Sequence, residues 1–211
     1  MGTFRTILID PPWPEYGGGK SKRGADRHYP LMSVKQIKKL PIGELANPTS
    51  CHLWIWATGN HLASAVDCVQ AWGFRLINFR PWVKTNAQFV QLRPGSNDVE
   101  VLVQIPQNPG LGQYLRCDAE LLMFAVRGKV VRGVWKPRQT IYAPRGRHSA
   151  KPECVREDIE HMSPAPRVEL FARSRHAGWA AWGNEIECDD LPLFSTAQQR
   201  VAQCQIFGGE M

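Results

Sequence analysis

The chain has 211 residues, 43% of them hydrophobic and 21% charged, with a formal net charge of +7 and a pI near 9.3. That length builds one sizeable core and leaves little for a second full domain. The basic balance fits a polyanionic partner, and no run of about 18 apolar residues is present to span a membrane.

A strand begins almost at the first residue, so no signal peptide is expected. The six cysteines, Cys51, Cys68, Cys117, Cys154, Cys188 and Cys204, are widely spread and form no close pair of the zinc-binding kind. Reduced thiols in a cytosolic protein are the expectation.

The chain is organised around Ile7-Leu8-Ile9-Asp10-Pro11-Pro12-Trp13. Three aliphatic residues in a row suit a strand buried on both faces of a parallel sheet. The prolines end it, since neither donates to a ladder and each restricts the residue before it. Asp10 then sits at the carboxyl end of a central strand, where open α/β sheets place their ligands. An acid followed by prolines is also an ordinary strand exit, and the residues alone leave both readings open.

The next stretch is long and irregular, with Gly17-Gly18-Gly19 and His28-Tyr29-Pro30. Loops of this length usually carry function or disorder. From Lys20 to Lys39 seven basic residues, Arg23 and Arg27 among them, face a single acid, Asp26. A second stretch, Arg127 to Lys151, holds eight basic residues and no acid, including Arg145 and Arg147. Both are rich in Gly, Pro or Ser and read as loops. Their ordinary role would be solvated surface, but two such loops in one α/β domain are expected to flank a phosphate-bearing substrate.

Ser33 suits the cap of a short helix over 34–39. His52 to Ala57 reads as a second core strand, and Asn60 opens a helix with Leu62, Ala65, Val66, Val69 and Trp72 at helical spacing, ended by Gly73. Phe74 to Phe79, running on to Trp82-Val83-Lys84, gives a third strand and completes a βαβ unit. Residues 85–112 break the pattern and read as an elaborated loop containing a hairpin, or as a disordered insertion. Glu120 to Val126 is a fourth strand and Thr140-Ile141-Tyr142 a short fifth. Pro152 suits the first turn of a helix with Val155, Ile159 and Met162 inward. Arg167 to Arg173 and Trp179 to Glu185 follow as strands. Residues 1–187 form the folded domain in this reading, and 188–211 a peripheral tail.

No Gly-x-Gly-x-x-Gly, phosphate-binding loop, His-Glu-x-x-His or Gly-x-Ser-x-Gly motif is present, so no metal is expected. His148 and His176 are isolated. Of the eight tryptophans, Trp13, Trp56 and Trp82 fall near strand ends, where they could stack on a base or simply pack the core.

Asp10-Pro11-Pro12-Trp13 resembles the catalytic motif of the N6-adenine methyltransferases related to the 70-kilodalton subunit of the mRNA adenosine methyltransferase. Further matching stretches are His28-Tyr29-Pro30, Leu53 to Thr58, Trp82-Val83-Lys84, Gly110 to Arg116 leading into Glu120-Leu121-Leu122, Arg147 to Pro152, Glu169 to Arg173 and Trp182 to Glu185. The resemblance runs from about residue 5 to residue 187 and is specific as an ordered set.

It implies a single-domain Rossmann-like α/β fold dependent on S-adenosylmethionine, with the catalytic motif preceding the cofactor-binding segment. Catalytic roles fall on Asp10, Pro11, Pro12 and Trp13. Asp10, Lys151, Glu169, Phe171, Arg173, His176, Asn184 and Glu185 would hold the cofactor. Ser174-Arg175-His176 departs from the Pro-His-Asn that mRNA-directed relatives carry. Arg23, Arg27, Tyr29, Lys84, Arg145, Arg147 and His148 would contact the nucleic acid. The implied reaction is methyl transfer to adenine N6, with Asp10 and the Pro11 carbonyl accepting the two amine hydrogens and Trp13 stacking on the base. DNA is the expected substrate, with RNA the alternative, in the cytoplasm of a bacterium or a phage host. A catalytically silent nucleic-acid-binding homologue and an α/β enzyme for a small anionic substrate are the rivals. Oligomeric state is not legible.

Overall fold

The computed structural model describes residues 3–14, 31–85, 87–92, 99–104, 115–129, 133, 136–146, 150–189 and 191, the two segments 87–92 and 99–104 by backbone alone. Arg23, Arg27, Tyr29, Arg147 and His148 lie outside the described residues.

The strands are β1 (Thr6–Ile9), β2 (Ser50–Ala57), β3 (Arg75–Thr85), β4 (Ala87–Leu92), β5 (Val99–Gln104), β6 (Ala119–Gly128), β7 (Ile141–Pro144), β8 (Arg167–Leu170) and β9 (Trp179–Trp182). The helices are α1 (Val34–Lys38), α2 (Ile42–Leu45), α3 (Leu62–Ala71) and α4 (Cys154–Met162). Seven strands form one sheet in the order β7-β3-β6-β2-β1-β8-β9. Every neighbouring pair in it is parallel except those made by β6, which runs against both β2 and β3. β4 and β5 make a separate antiparallel hairpin within 85–112.

β1 is where the chain switches sides: β2 pairs on one edge and β8, much later in sequence, on the other. All four β1 residues are buried, as three consecutive aliphatics predict. Such a switch point opens a crevice beyond the strand's carboxyl end, and Asp10 occupies that position.

Alternation along the strands divides the core in two. Ile7, Ile9, Leu53, Ile55 and Ala57 face one side, where α1, α2 and α3 contribute Ile37, Ile42, Ala65, Cys68 and Val69. Leu8, Trp54, Trp56, Leu122 and Trp82 face the other, against Val155 and Ile159 of α4. Asp10, two residues beyond Leu8, is therefore on the α4 side. Burial pushes the Cys51 and Cys68 thiols up to about 12 and about 11, so neither is a nucleophile near neutrality.

Several expectations shift in detail. Ser33 does cap α1, accepting from the Gln36 N–H while the Gln36 side chain takes the Ser33 N–H. That helix carries Lys35 and Lys38, so part of the first basic stretch is helical rather than loop. Asn60 does not open α3; a 3₁₀ turn at Gly59–His61 leads in, and helix geometry begins at Leu62. Gly73 ends it in the left-handed region at φ 79°. β2 and β3 are parallel, as the βαβ pattern requires, but β6 is wedged between them. The proposed tail is docked where it starts: the Asp189 carboxylate accepts from Ala181 N at 2.8 Å, and Leu191 is buried in the core. Among the described residues, no helix is long and apolar enough to cross a membrane.

Candidate active site

The turn after β1 is rigid by composition and by its bonds. Pro11, Pro12 and Trp13 are all buried. The Trp13 N–H donates to the Pro11 carbonyl at 2.8 Å, and the Met32 N–H donates to the Pro12 carbonyl at 2.9 Å. Asp10 N–H reaches the Leu170 carbonyl of β8 at 3.5 Å, tying the turn to the neighbouring strand end.

Trp13 is enclosed. Its Nε1–H donates to the Trp56 carbonyl at 2.9 Å, its ring stacks on His61 with centroids 5.3 Å apart, and 8% of it is exposed. Burial holds the His61 imidazole below its ordinary pKa, against a hydrogen bond to the Pro14 carbonyl. Trp56 and Trp82 are each 2% exposed. Of the two readings open for these indoles the structure agrees with packing: they form the site's walls, and Trp13 braces the turn.

Asp10 meets a line of charges. Lys151 Nζ lies 2.6 Å from Asp10 Oδ2 and 3.3 Å from Glu120 Oε2, while Lys84 Nζ lies 2.5 Å from Glu120 Oε1. The Lys151 and Lys84 ammoniums lie over the Trp56 and Trp82 rings, at 5.5 and 5.1 Å from their centroids. Burial disfavours the charged form of Lys151, but the Asp10 and Glu120 carboxylates outweigh it and raise its pKa above the ordinary value. Burial likewise opposes ionisation of Glu120, and the two lysines overcome it, holding the carboxyl below its usual range.

Beyond Asp10, Glu169 of β8 is paired in register with Leu8 and so shares the α4 face. Arg156 Nη1 of α4 meets its carboxylate at 2.5 Å and also lies over the Trp179 ring. Burial raises the Glu169 pKa; Arg156 opposes that rise, and Asp10 adds to it. Phe171 leaves β8 at φ 61°, an uncommon backbone for a bulky residue, and packs edge-on against Trp182. Arg173 Nε is 3.8 Å from Glu185 Oε1, and Asn184 is exposed. Ser174 Oγ and His176 Nε2 are 2.7 Å apart, and burial with the Arg156 charge lowers the His176 pKa. Gly183 admits no side chain, because a Cβ there would lie 2.0 Å from the Ala172 carbonyl oxygen.

The structure thus brings Asp10, Lys151 and, through Glu120, Lys84 into one cluster. Past the ends of β8 and β9 it sets Phe171 against Trp182 and Arg173 near Glu185, with Asn184 adjoining, whereas His176 stands before β9, its carbonyl accepting from Trp179 N at 3.2 Å. Arg145 stands exposed after β7, its guanidinium 3.4 Å from the Cys117 carbonyl. Glu120, Arg156 and His61 were not singled out from the sequence. Glu120 had a signal, a lone acid opening an apolar strand; Arg156 and His61 had none.

A model of the MT-A70 family matches residues 4–185. The type II methyltransferase M.MunI of a Mycoplasma species is 30% identical over 211 residues, covering 90% of this chain and 81% of that protein. Mouse METTL4, an N(6)-adenine-specific methyltransferase, is 31% identical over 194 residues, covering 87% of this chain and 38% of its own length. Human METTL3, an N(6)-adenosine-methyltransferase catalytic subunit, is 25% identical over 198 residues, covering 89% of this chain and 29% of its own. The chain spans most of the first relative and well under half of the other two. The family match takes in every strand of the seven-stranded sheet: this chain belongs to the MT-A70 family, and its sheet is that of a Rossmann-like methyltransferase.

Proposed function

We propose that the protein transfers a methyl group from S-adenosylmethionine to the exocyclic N6 amine of adenine in DNA. The observation that carries this reading is Asp10, fixed at the switch-point crevice by the partly buried Lys151 ammonium at 2.6 Å. The match to a type II methyltransferase across 81% of that protein supports methyl transfer as the reaction. The net charge of +7 suits either polyanion.

The residues that the family resemblance assigns to such a cofactor fit it by the chemistry of their groups. Asp10, Glu169 and Glu185 are acceptors for its cationic parts, Arg173 a donor for its carboxylate, and Asn184 and His176 polar partners for its adenosine, with Phe171 an apolar wall. When bound, S-adenosylmethionine supplies a methyl group on a positively charged sulfur. Lys151, also expected to reach the cofactor, has two of its three donors engaged by Asp10 and Glu120 and the third left for that contact. Positioning Asp10 is a further role we give it.

The N6 lone pair of adenine is delocalised into the ring and is a poor nucleophile. Asp10 accepts one amine hydrogen and favours a more tetrahedral nitrogen, and its negative charge stabilises the cation developing there. The Pro11 carbonyl already accepts from Trp13 N, and its second lone pair faces the role of the other acceptor. Asp10 is an orienting acceptor rather than a base that acts before transfer. In duplex DNA the target adenine must leave the stack to reach it, and Arg145, with Arg23, Arg27, Tyr29, Arg147 and His148, would hold the strand.

Transfer of labelled methyl to matched DNA and RNA oligonucleotides tests the reading, with the modified base identified after digestion. Label at adenine N6 in DNA is expected. A strong preference for RNA overturns the substrate, label on cytosine overturns the base, and no saturable cofactor binding would point to a silent homologue.

A further inference from the structure

Glu120 and Lys84 lie two and three contacts back from Asp10, behind Lys151, and neither is needed to explain how an acid at a strand exit meets an amine. Their placement follows from topology. Because β6 runs antiparallel, its first residues arrive at the same sheet edge where β2 and β3 end, and Glu120 pairs with Trp82. Directly paired residues share a face, as do residues two apart on one strand. Glu120 therefore lies beside Lys84 on the side of the sheet where Asp10 and Lys151 meet.

The three contacts alternate in tightness. Lys84 to Glu120 is 2.5 Å, Lys151 to Asp10 is 2.6 Å, and the link between the pairs, Lys151 to Glu120, is 3.3 Å. Two carboxylates and two ammoniums sum to zero charge. All four side chains are mostly buried, between 14% and 27% exposed, so each charge depends on its neighbours rather than on water. Lys151 stands between two carboxylates that compete for it. Glu120 has a second, closer cation; with Lys84 removed, Lys151 would be its nearest partner in the cluster.

We propose that Lys84 and Glu120 are positioning residues: Lys84 satisfies Glu120 so that Lys151 is left to Asp10, and this order fixes the rotation at which Asp10 offers its other oxygen to the substrate amine. This rests on the reading of Asp10 as the amine's acceptor. The raised pKa of Lys151 and the lowered pKa of Glu120 agree with an all-charged chain, since burial alone would drive both the other way. The groups facing Lys151 are Asp10 after β1, Glu120 of β6 and, behind it, Lys84 of β3; the Arg156–Glu169 pair lies on the far side of Asp10.

The test is single-turnover methyl transfer by the full chain at saturating S-adenosylmethionine, on Lys84→Met, Glu120→Gln and the double variant. Lys84→Met should lose on the order of tenfold to a hundredfold in turnover through misplacement of Asp10. The double variant should recover much of that loss, because no second carboxylate then competes for Lys151. Lys84→Arg, which keeps the charge, should also recover activity relative to Lys84→Met. In Glu120→Gln the alkaline limb of the turnover profile should move to lower pH, because Lys151 loses one of the two carboxylates that raise its pKa. NMR titration of ¹³Cε-labelled Lys151 should show the same shift without any turnover, and covers the case of a variant that folds poorly. A double variant no better than Lys84→Met, or an unmoved Lys151 titration in Glu120→Gln, overturns the proposal. An active Asp10→Ala protein would instead remove the function it rests on, whereas an inactive Asp10→Ala beside a fully active Lys84→Met would remove this inference alone.

Discussion

Replacing Asp10 by Asn separates charge from shape at the centre of the site. Lys151 Nζ lies 2.6 Å from Asp10 Oδ2, with the two side chains 19% and 27% exposed. An ammonium has only donors, so it selects the oxygen of an introduced amide and turns the NH₂ toward the side where the substrate amine is received. The amine then meets a donor where it requires an acceptor, and the negative charge that balances the developing cation is gone. Loss of one preorganised transition-state partner lowers turnover about 10²–10³-fold, or about 2.7–4 kcal/mol of barrier. Asp10→Ala removes the acceptor without installing a donor. Asp10→Asn should therefore fall at least as far as Asp10→Ala despite its closer shape. The assay is single-turnover transfer of labelled methyl to adenine N6 at saturating cofactor, with folding followed by circular dichroism and cofactor binding by calorimetry. Near-native turnover in a folded Asp10→Asn protein would refute the acceptor role, and an Asn variant clearly more active than the Ala variant would refute the part given to Lys151.

Arg145→Ala should weaken binding to all DNA sequences about equally and reduce the salt slope by roughly one; an affinity indifferent to salt would remove the phosphate-contact assignment, and Arg23, Arg27 and Arg147 should behave alike. Asn184→Ala should lower cofactor affinity about tenfold to a hundredfold, the equivalent of about 1–3 kcal/mol, in calorimetry without nucleic acid; unchanged affinity would free Asn184 from that role. The stability effect of Glu120→Gln should depend on pH. The folded-state pKa of Glu120 lies below its ordinary 4.5, so its contribution is present above that pH and lost as pH falls through the lowered value. Urea unfolding should therefore show the variant's penalty at neutral pH and its disappearance in acid, and a penalty equal at every pH would contradict the ionised chain.

What the sequence determined by itself was local and periodic. Three aliphatics closed by an acid and two prolines define a buried strand with a carboxylate at its exit, because proline geometry is fixed without reference to the rest of the fold. The Ser33 cap and the left-handed Gly73 were legible for the same reason: each depends on a few adjacent residues. The unbroken aliphatic run of β1 foretold burial on both faces, and the ordered family motifs carried the fold class. The tertiary structure alone decided which groups share the site. Glu120 reaches it because β6 runs antiparallel, and strand direction is set by packing and connection rather than by the residues of the strand. Lys151 lies far from Asp10 in sequence, and only the loop before α4 brings them within 2.6 Å. For Trp13, Trp56 and Trp82 core packing was the favoured reading and stacking on a base the alternative, and their burial agrees with the former; an indole satisfies either environment, and only its neighbours settle which.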